Sequence, residues 1–343
     1  MIIKNELSVK KNFNVGISIL RVLLCFWVVV HHCANAKMNN HKYLQRNFHV
    51  PTFFLLSFYF YYSVINKRNI LKIKFRFQRL LYPYILWPLL ILLFNNALVA
   101  SSMCKHFRRN YTMKDLYIQI LIGARFYTNF WFHFNLILLS LFITIISFIA
   151  KAKLLIIYEF IGIISLYLHV SGINNYIFYN LKSPTNKTLG CINEMIPLSV
   201  FGCFFSSINL LLKLNNLDLS FVIIFFLLLY LIFEYEIFFK YPGILYPNVL
   251  LNVLAATILI LLFGSININN FENINKLLKY VTSFTGGIYY LHQIFPDYLY
   301  HIFNIDREKT TYLSPFAIYI ICYIICFLGN KLFKNNKFKY LFM

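Results

Sequence analysis

"RVLLCFWVVVHHC", Arg21 to Cys33, carries an arginine and two adjacent histidines through a run that otherwise has the composition of a membrane helix. An ionisable group at that depth costs about 3 kcal/mol on insertion scales, so it normally faces a bundle interior or a wet cavity and marks a functional path. The bland alternative has Arg21 snorkelling to headgroups and His32 bonded to a neighbouring helix. A helix turns about 100° per residue, which leaves Arg21 and His32 within about 20° of one another and turns His31 about 80° away. Ser18 and Cys25 lie near the same direction, giving one polar stripe on an apolar helix. The rise separates Arg21 from His32 by about 16 Å along the axis. They cannot touch, but both can line one channel.

The rest of the chain has the same character. It is 60% hydrophobic and 13% charged, against about 45–50% apolar usage in soluble domains. Its mean hydropathy is +0.65. Apolar runs of about 18 residues or more recur, each long enough to cross a hydrocarbon core as a helix. The pattern predicts an all-α polytopic membrane protein of about ten transmembrane helices, both termini cytoplasmic. They fall near 15–36, 49–66, 81–100, 131–150, 154–170, 191–211, 219–239, 245–264, 280–301 and 313–333. Residues 1–343 read as a single transmembrane domain with no appended soluble domain, and the first apolar run as a retained helix.

The net charge of +21 would suggest nucleic acid in a soluble protein, but no nucleic-acid motif is present and most basic residues lie between apolar runs. With both termini inside, 18 basic residues fall in cytoplasmic segments against 13 outside, a modest bias in the expected direction. The seven cysteines lack metal-ligand spacing and read as packing residues, so no metal is expected.

"NKRNILKIKFRFQRLLYP", Asn66 to Pro83, repeats a basic residue at helical spacing. Arg68, Lys72, Arg76 and Arg79 cluster within about 80° of a helical wheel, opposite Ile70, Ile73, Phe77, Leu80 and Leu81. This predicts an amphipathic helix on the cytoplasmic surface. Its basic face suits anionic lipid or the phosphates of a soluble ligand entering between helices, and the residues alone leave both open. A further segment, "MKDLYIQILIGARFYTN" at 113–129, predicts a helix lying in the interface.

These features occur in a recognisable order: Arg-x(10)-His, "VPTFFLLSFYF" at 50–60, "RFQRLLYP" at 76–83, "FWFHFNLILL" at 130–139, "IPLSVFGCFF" at 196–205 and "GGIYYLHQIF" at 286–295. Taken together, they resemble the membrane-bound acyltransferase-3 family over nearly the whole chain. The resemblance implies a ten-helix enzyme of the O-acetyltransferase type, embedded in a lipid bilayer, by default the bacterial cytoplasmic membrane. Such an enzyme passes an acyl group, usually acetyl, from cytoplasmic acetyl-CoA or another acyl-CoA to a hydroxyl of a cell-surface polysaccharide, lipopolysaccharide or lipid-linked sugar. The family's helix-one arginine and histidine fall on Arg21 and His32, its R-x-x-R before a proline on Arg76 and Arg79, and its G-I-Y-L-x-H on Gly287, Ile288, Tyr289 and His292. Phe58 stands where the family usually has glycine, Thr285 where serine is often found, and Tyr290 where leucine is preferred.

The chemistry assigns roles. A sugar hydroxyl is a poor nucleophile at neutral pH, and a neutral histidine is suited to take its proton as it attacks a thioester. His32 is the candidate general base or, on a second route, a transient acyl carrier. Arg76 and Arg79, with Arg68 and Lys72, are candidates for the donor's phosphates. Arg21 would guide the pantetheine arm or stabilise charge on the thioester oxygen. His292 and Tyr289, three apart on one helix face, read as acceptor-site groups or as a structural hydrogen-bond network. Ser57 is a weaker candidate. Trp131 and His133 would stack on a sugar or belong to an interfacial aromatic belt. A transporter or flippase for a lipid-linked sugar is the rival reading, although no inverted repeat is evident.

Overall fold

The computed structural model describes residues 14–33, 48–100, 112–123, 130–150, 154–170, 184–207, 227–230, 249–266, 272–302 and 314–343. Among them there is no strand. In chain order the helices are α1 (Val15–Cys33), α2 (His49–Asn66), α3 (Ile70–Ala100), α4 (Met113–Ile122), α5 (Phe130–Ala150), α6 (Leu154–Val170), α7 (Pro184–Ser207), α8 (Val249–Gly264), α9 (Glu272–Thr282), α10 (Thr285–Ile302) and α11 (Ser314–Leu332). A 3-10 segment, Lys337–Phe342, follows.

By length and composition, Val15–His32, Ile70–Ala97, Phe130–Ile149 and Pro315–Leu332 are able to cross a membrane. Shorter apolar helices cover Ile156–Ser165, Met195–Ser207 and Asn252–Gly264. Of the helix expected near 219–239 only residues 227–230 are described, and they are helical. The outward faces carry large bare apolar side chains, among them Leu93, Ile149, Phe160 and Ile163. Water would penalise such a surface, and a hydrocarbon solvent accepts it.

Inside, α1 is the common neighbour, touching α2, α8, α9, α10 and α11. One core joins α2, α5 and α7 through Phe54, Phe58, Tyr61, Phe132, Leu136 and Leu198. Another packs Cys25 and Val29 of α1 against Ile288 of α10 and Cys322 and Cys326 of α11. The most extensive helix pairing is α2 against α7. Gly202 allows it, because a Cβ there would overlap the carbonyl oxygen of Leu55 and stand 3.0 Å from the Cβ of Phe58. Small residues that let backbones approach are the usual means of joining helices where lipid removes the hydrophobic drive.

Three boundaries differ from the sequence reading. The basic amphipathic stretch is not a separate surface helix: it runs without a break into the next span, making α3 a helix of 31 residues that passes through Pro83 and Pro88. Arg68 precedes it in a turn, with φ 46°, and so does not share the helix face with Lys72, Arg76 and Arg79. The expected helix near 280–301 is in two pieces, α9 and α10, separated at Ser283 and Phe284. There the hydroxyls of Thr282, Ser283 and Thr285 donate to the carbonyls of Leu278, Tyr280 and Thr282, the local bonding that competes with a helix ladder. Finally, α7 starts at Pro184 rather than near 191. Of the interface segment, residues 124–129 lie outside the described residues; the rest forms a helix over Met113–Ile122, closed by a Thr112–Asp115 capping box and by Gly123 in the left-handed region, φ 76°.

Candidate functional site

The polar stripe of α1 faces α10. Arg21 donates through Nη2 to the Thr285 hydroxyl at 3.2 Å and to the Thr282 carbonyl at 3.5 Å. Its seat is the break between α9 and α10, where the Thr282 carbonyl accepts from both Arg21 and the Thr285 hydroxyl. One turn on, the Cys25 thiol donates to the Thr285 carbonyl at 3.5 Å. Near the far end of α1 the His32 ring lies 5.0 Å from that of His292, centroid to centroid. Arg21, Cys25 and His32 therefore meet successive parts of one helix, as their common face requires. Ser18 instead bonds back to the Asn14 carbonyl.

At the histidine end the cluster is larger than the sequence suggested. His31, turned off the stripe, lies 5.1 Å from His32 and 5.6 Å from His49 at the start of α2. His292 and His49 are buried, at 0% and 1% exposure, whereas His32 is exposed. No grouping of histidine, cysteine or carboxylate able to hold a metal occurs among the described residues.

At the arginine end lies a cavity of about 560 Å³. Arg21, Lys72, Arg76 and Arg79 line it, and among the described residues no carboxylate side chain does. Arg76 is the best held of the four. Its Nη2 donates to the Ser57 hydroxyl at 2.9 Å and to the Ser140 hydroxyl at 3.0 Å, and its Nε reaches Ser140 at 3.2 Å. The guanidinium carbon stands 4.1 Å from the centre of the Tyr61 ring and 5.6 Å from that of Phe58. Two hydroxyls and two ring faces compensate a desolvated guanidinium well. Arg79 and Lys72, by contrast, are exposed at the mouth.

Neither His32 nor His292 is among the residues lining the cavity. Tyr289 connects the two ends: it lines the cavity, and its ring lies 5.5 Å from His292 and 5.2 Å from His133. His133 also lines the cavity, stacked on Tyr290 at 4.0 Å. Tyr290, where leucine was the expected residue, thus supplies the platform for that ring. Phe58, where glycine was expected, adds a face to Arg76, and Gly202 of the facing helix makes the room.

The candidates divide accordingly. Arg21, Ser57, Lys72, Arg76, Arg79 and Tyr289 line one cavity, while His32 and His292 meet beyond it. Arg68 and Trp131 do not line it; Trp131 is partly buried against the α2–α5–α7 core. Sequence reasoning missed Ser140, Tyr61, the Thr282 carbonyl and Tyr340, the last of which also lines the cavity. A serine inside an apolar span and a helix break carry no pattern that would have identified them.

A family model described as an acyltransferase domain matches residues 14–333, nearly the whole chain, and the protein belongs to that acyltransferase-3 family. No curated protein matches it, and no solved structure does.

Proposed function

We propose that this member of the acyltransferase-3 family is a multi-pass O-acetyltransferase of a bacterial cytoplasmic membrane. It would take an acetyl group from cytoplasmic acetyl-CoA, or a related acyl group from its CoA thioester, and pass it to a hydroxyl of a surface polysaccharide, lipopolysaccharide or lipid-linked sugar. The observation that carries the reading is the cavity: among the described residues its lining holds four cationic side chains and no carboxylate side chain, and one guanidinium is fixed by two hydroxyls and two rings. A cavity of that charge suits the phosphates of CoA, and its inner end, at Arg21 and Tyr289, suits the uncharged pantetheine arm.

The reaction needs a base that lies beyond the donor's phosphates. The acceptor oxygen adds to the thioester carbonyl carbon while His32 takes its proton; the carbon–sulfur bond then breaks, and the CoA thiolate leaves and takes up a proton. Exposure of His32 fits a base that meets an incoming acceptor, and the buried His292 ring behind it fixes its position. Arg21, held by Thr285, guides the pantetheine arm as the thioester passes Tyr289 towards His32. On the second route His32 carries the acyl group itself before the hydroxyl attacks.

The test is acetyl-CoA consumption by purified wild type and His32→Ala, each supplied with lipid-linked glycans, followed by mass spectrometry of those glycans. Acetyl mass gained only with the wild type is the expected result. A wild type that consumes no acetyl-CoA or other acyl-CoA in the presence of acceptor overturns the reading.

A further inference from the structure

The 3-10 segment Lys337–Phe342 lies beyond the residues that match the family, 14–333, yet it forms part of the cavity wall: Tyr340 and Met343 line it beside Arg79 and Lys72. The segment is built in. A Cβ on Gly329 of α11 would stand 2.6 Å from the Phe342 ring, and one on Gly286 of α10 would overlap the Met343 carbonyl oxygen. Two helices thus present bare backbone where the segment docks. The indole of Trp87 donates to the Leu341 carbonyl at 3.3 Å, and the Phe342 ring stacks on Phe333 at 5.9 Å with the planes 3° apart. These contacts hold Tyr340 at the mouth, its ring stacked on Tyr82 at 5.9 Å and 24°. Lys337 lies 6.0 Å from the Tyr82 ring and Lys339 5.5 Å from the Tyr340 ring.

An aromatic pair set among cations at the open end of a basic cavity matches the nucleotide end of a donor: a purine base to stack and phosphates to neutralise. We infer that the Lys337–Phe342 segment is a specificity wall of this protein's donor site, in which Tyr340 packs against the adenine base of the acyl-CoA and Arg79, Lys72 and the two lysines receive its phosphates. The inference rests on the acyl-CoA reading above and adds to it a segment outside the family-matched residues. Tyr340 positions the donor and takes no part in the bond changes.

The experiment compares acetyl-CoA with S-acetylpantetheine, which keeps the thioester and lacks the nucleotide. Tyr340→Ala is expected to raise KM for acetyl-CoA about tenfold, the effect of losing one base–ring stack, with kcat unchanged and KM for S-acetylpantetheine unchanged. An unchanged KM for acetyl-CoA, or an equal rise for both donors, overturns the inference, because a packing role would affect the two alike. A second measurement is independent of any variant: wild type is photolabelled with an acetyl-CoA carrying an azido group on adenine, and the labelled peptide is mapped. Label on the peptides of Tyr82 or Tyr340 supports the wall, and label confined to other segments overturns it. If the wild type turns over neither thioester, the acyl-CoA reading falls and takes this inference with it. If the wild type is active and Tyr340→Ala behaves like it, the inference alone falls.

Discussion

At one end of the α1–α10 seam Arg21 is tied to the Thr285 hydroxyl and the Thr282 carbonyl; about three turns away, at the other, His32 meets His292 in a cluster of four rings. The two ends handle polarity differently. The arginine end keeps permanent cations in the bundle and supplies acceptors for them: Ser57 and Ser140 for Arg76, the Thr285 hydroxyl and the Thr282 carbonyl for Arg21. The histidine end uses imidazoles, which can be neutral and so need no counter-charge there. A site that must hold a polyanion and also accept a proton gains from keeping these tasks apart, since a cation beside the base would weaken it. Tyr289 spans the two, which makes it the place where a thioester would pass from one to the other.

The largest expected effect separates the ends outright. His32→Ala should lower acetyl transfer by at least about 10³-fold, within the range for loss of a general base or its positioning, while leaving acetyl-CoA binding unchanged. Glycan acetylation followed by mass spectrometry, beside isothermal titration with CoA, reads both; lost CoA binding would show that the ends are not separate.

Arg76→Ala should act in the opposite sense, raising KM for acetyl-CoA about 10- to 100-fold through lost charge-assisted bonds, with a smaller change in kcat. Arg76→Lys should recover little, since one ammonium cannot serve two hydroxyls and two ring faces in the guanidinium's geometry. Steady-state kinetics against acetyl-CoA decide it, and an unchanged KM with an altered membrane fraction would assign the residue to lipid or to folding. Arg79→Ala, at the exposed mouth, should raise the same KM by about threefold to tenfold, and raised salt should shrink the difference from wild type.

Thr285→Val is expected to have an effect of similar size to Arg79→Ala, about threefold to tenfold, but on kcat. It removes one acceptor from Arg21 and leaves the Thr282 carbonyl in place. Thr285→Ser should restore the rate, because it returns the hydroxyl. If Ser fails to rescue, the methyl group's packing matters more than the hydrogen bond.

How much of this was legible depends on whether the relevant interaction lies within one helix. The stripe on α1 follows from the turn per residue, and Arg21, Cys25 and His32 do face one partner. The same reasoning applied to 66–83 put Lys72, Arg76 and Arg79 on one face, and they line one cavity, but it did not give their surroundings. It placed the basic stretch on a membrane surface, whereas Arg76 is drawn between α2 and α5 by Ser57, Tyr61 and Ser140. A helical wheel gives the direction of a side chain without saying what stands there.

The sequence by itself determined that the chain is helical, apolar enough for a membrane, a member of the acyltransferase-3 family, and marked by Arg21, Arg76, Arg79, His32 and His292, since composition, periodicity and motif order are properties of the chain read along its length. Only the tertiary structure decided that Arg76 is enclosed while Arg79 and Lys72 stay open, that α9 and α10 part to seat Arg21, and that Tyr340 joins residues more than 250 positions away in one wall. The physical reason is that a buried cation needs acceptors and a cavity needs walls, and both come from whichever helices pack nearby, at separations along the chain that no local pattern records.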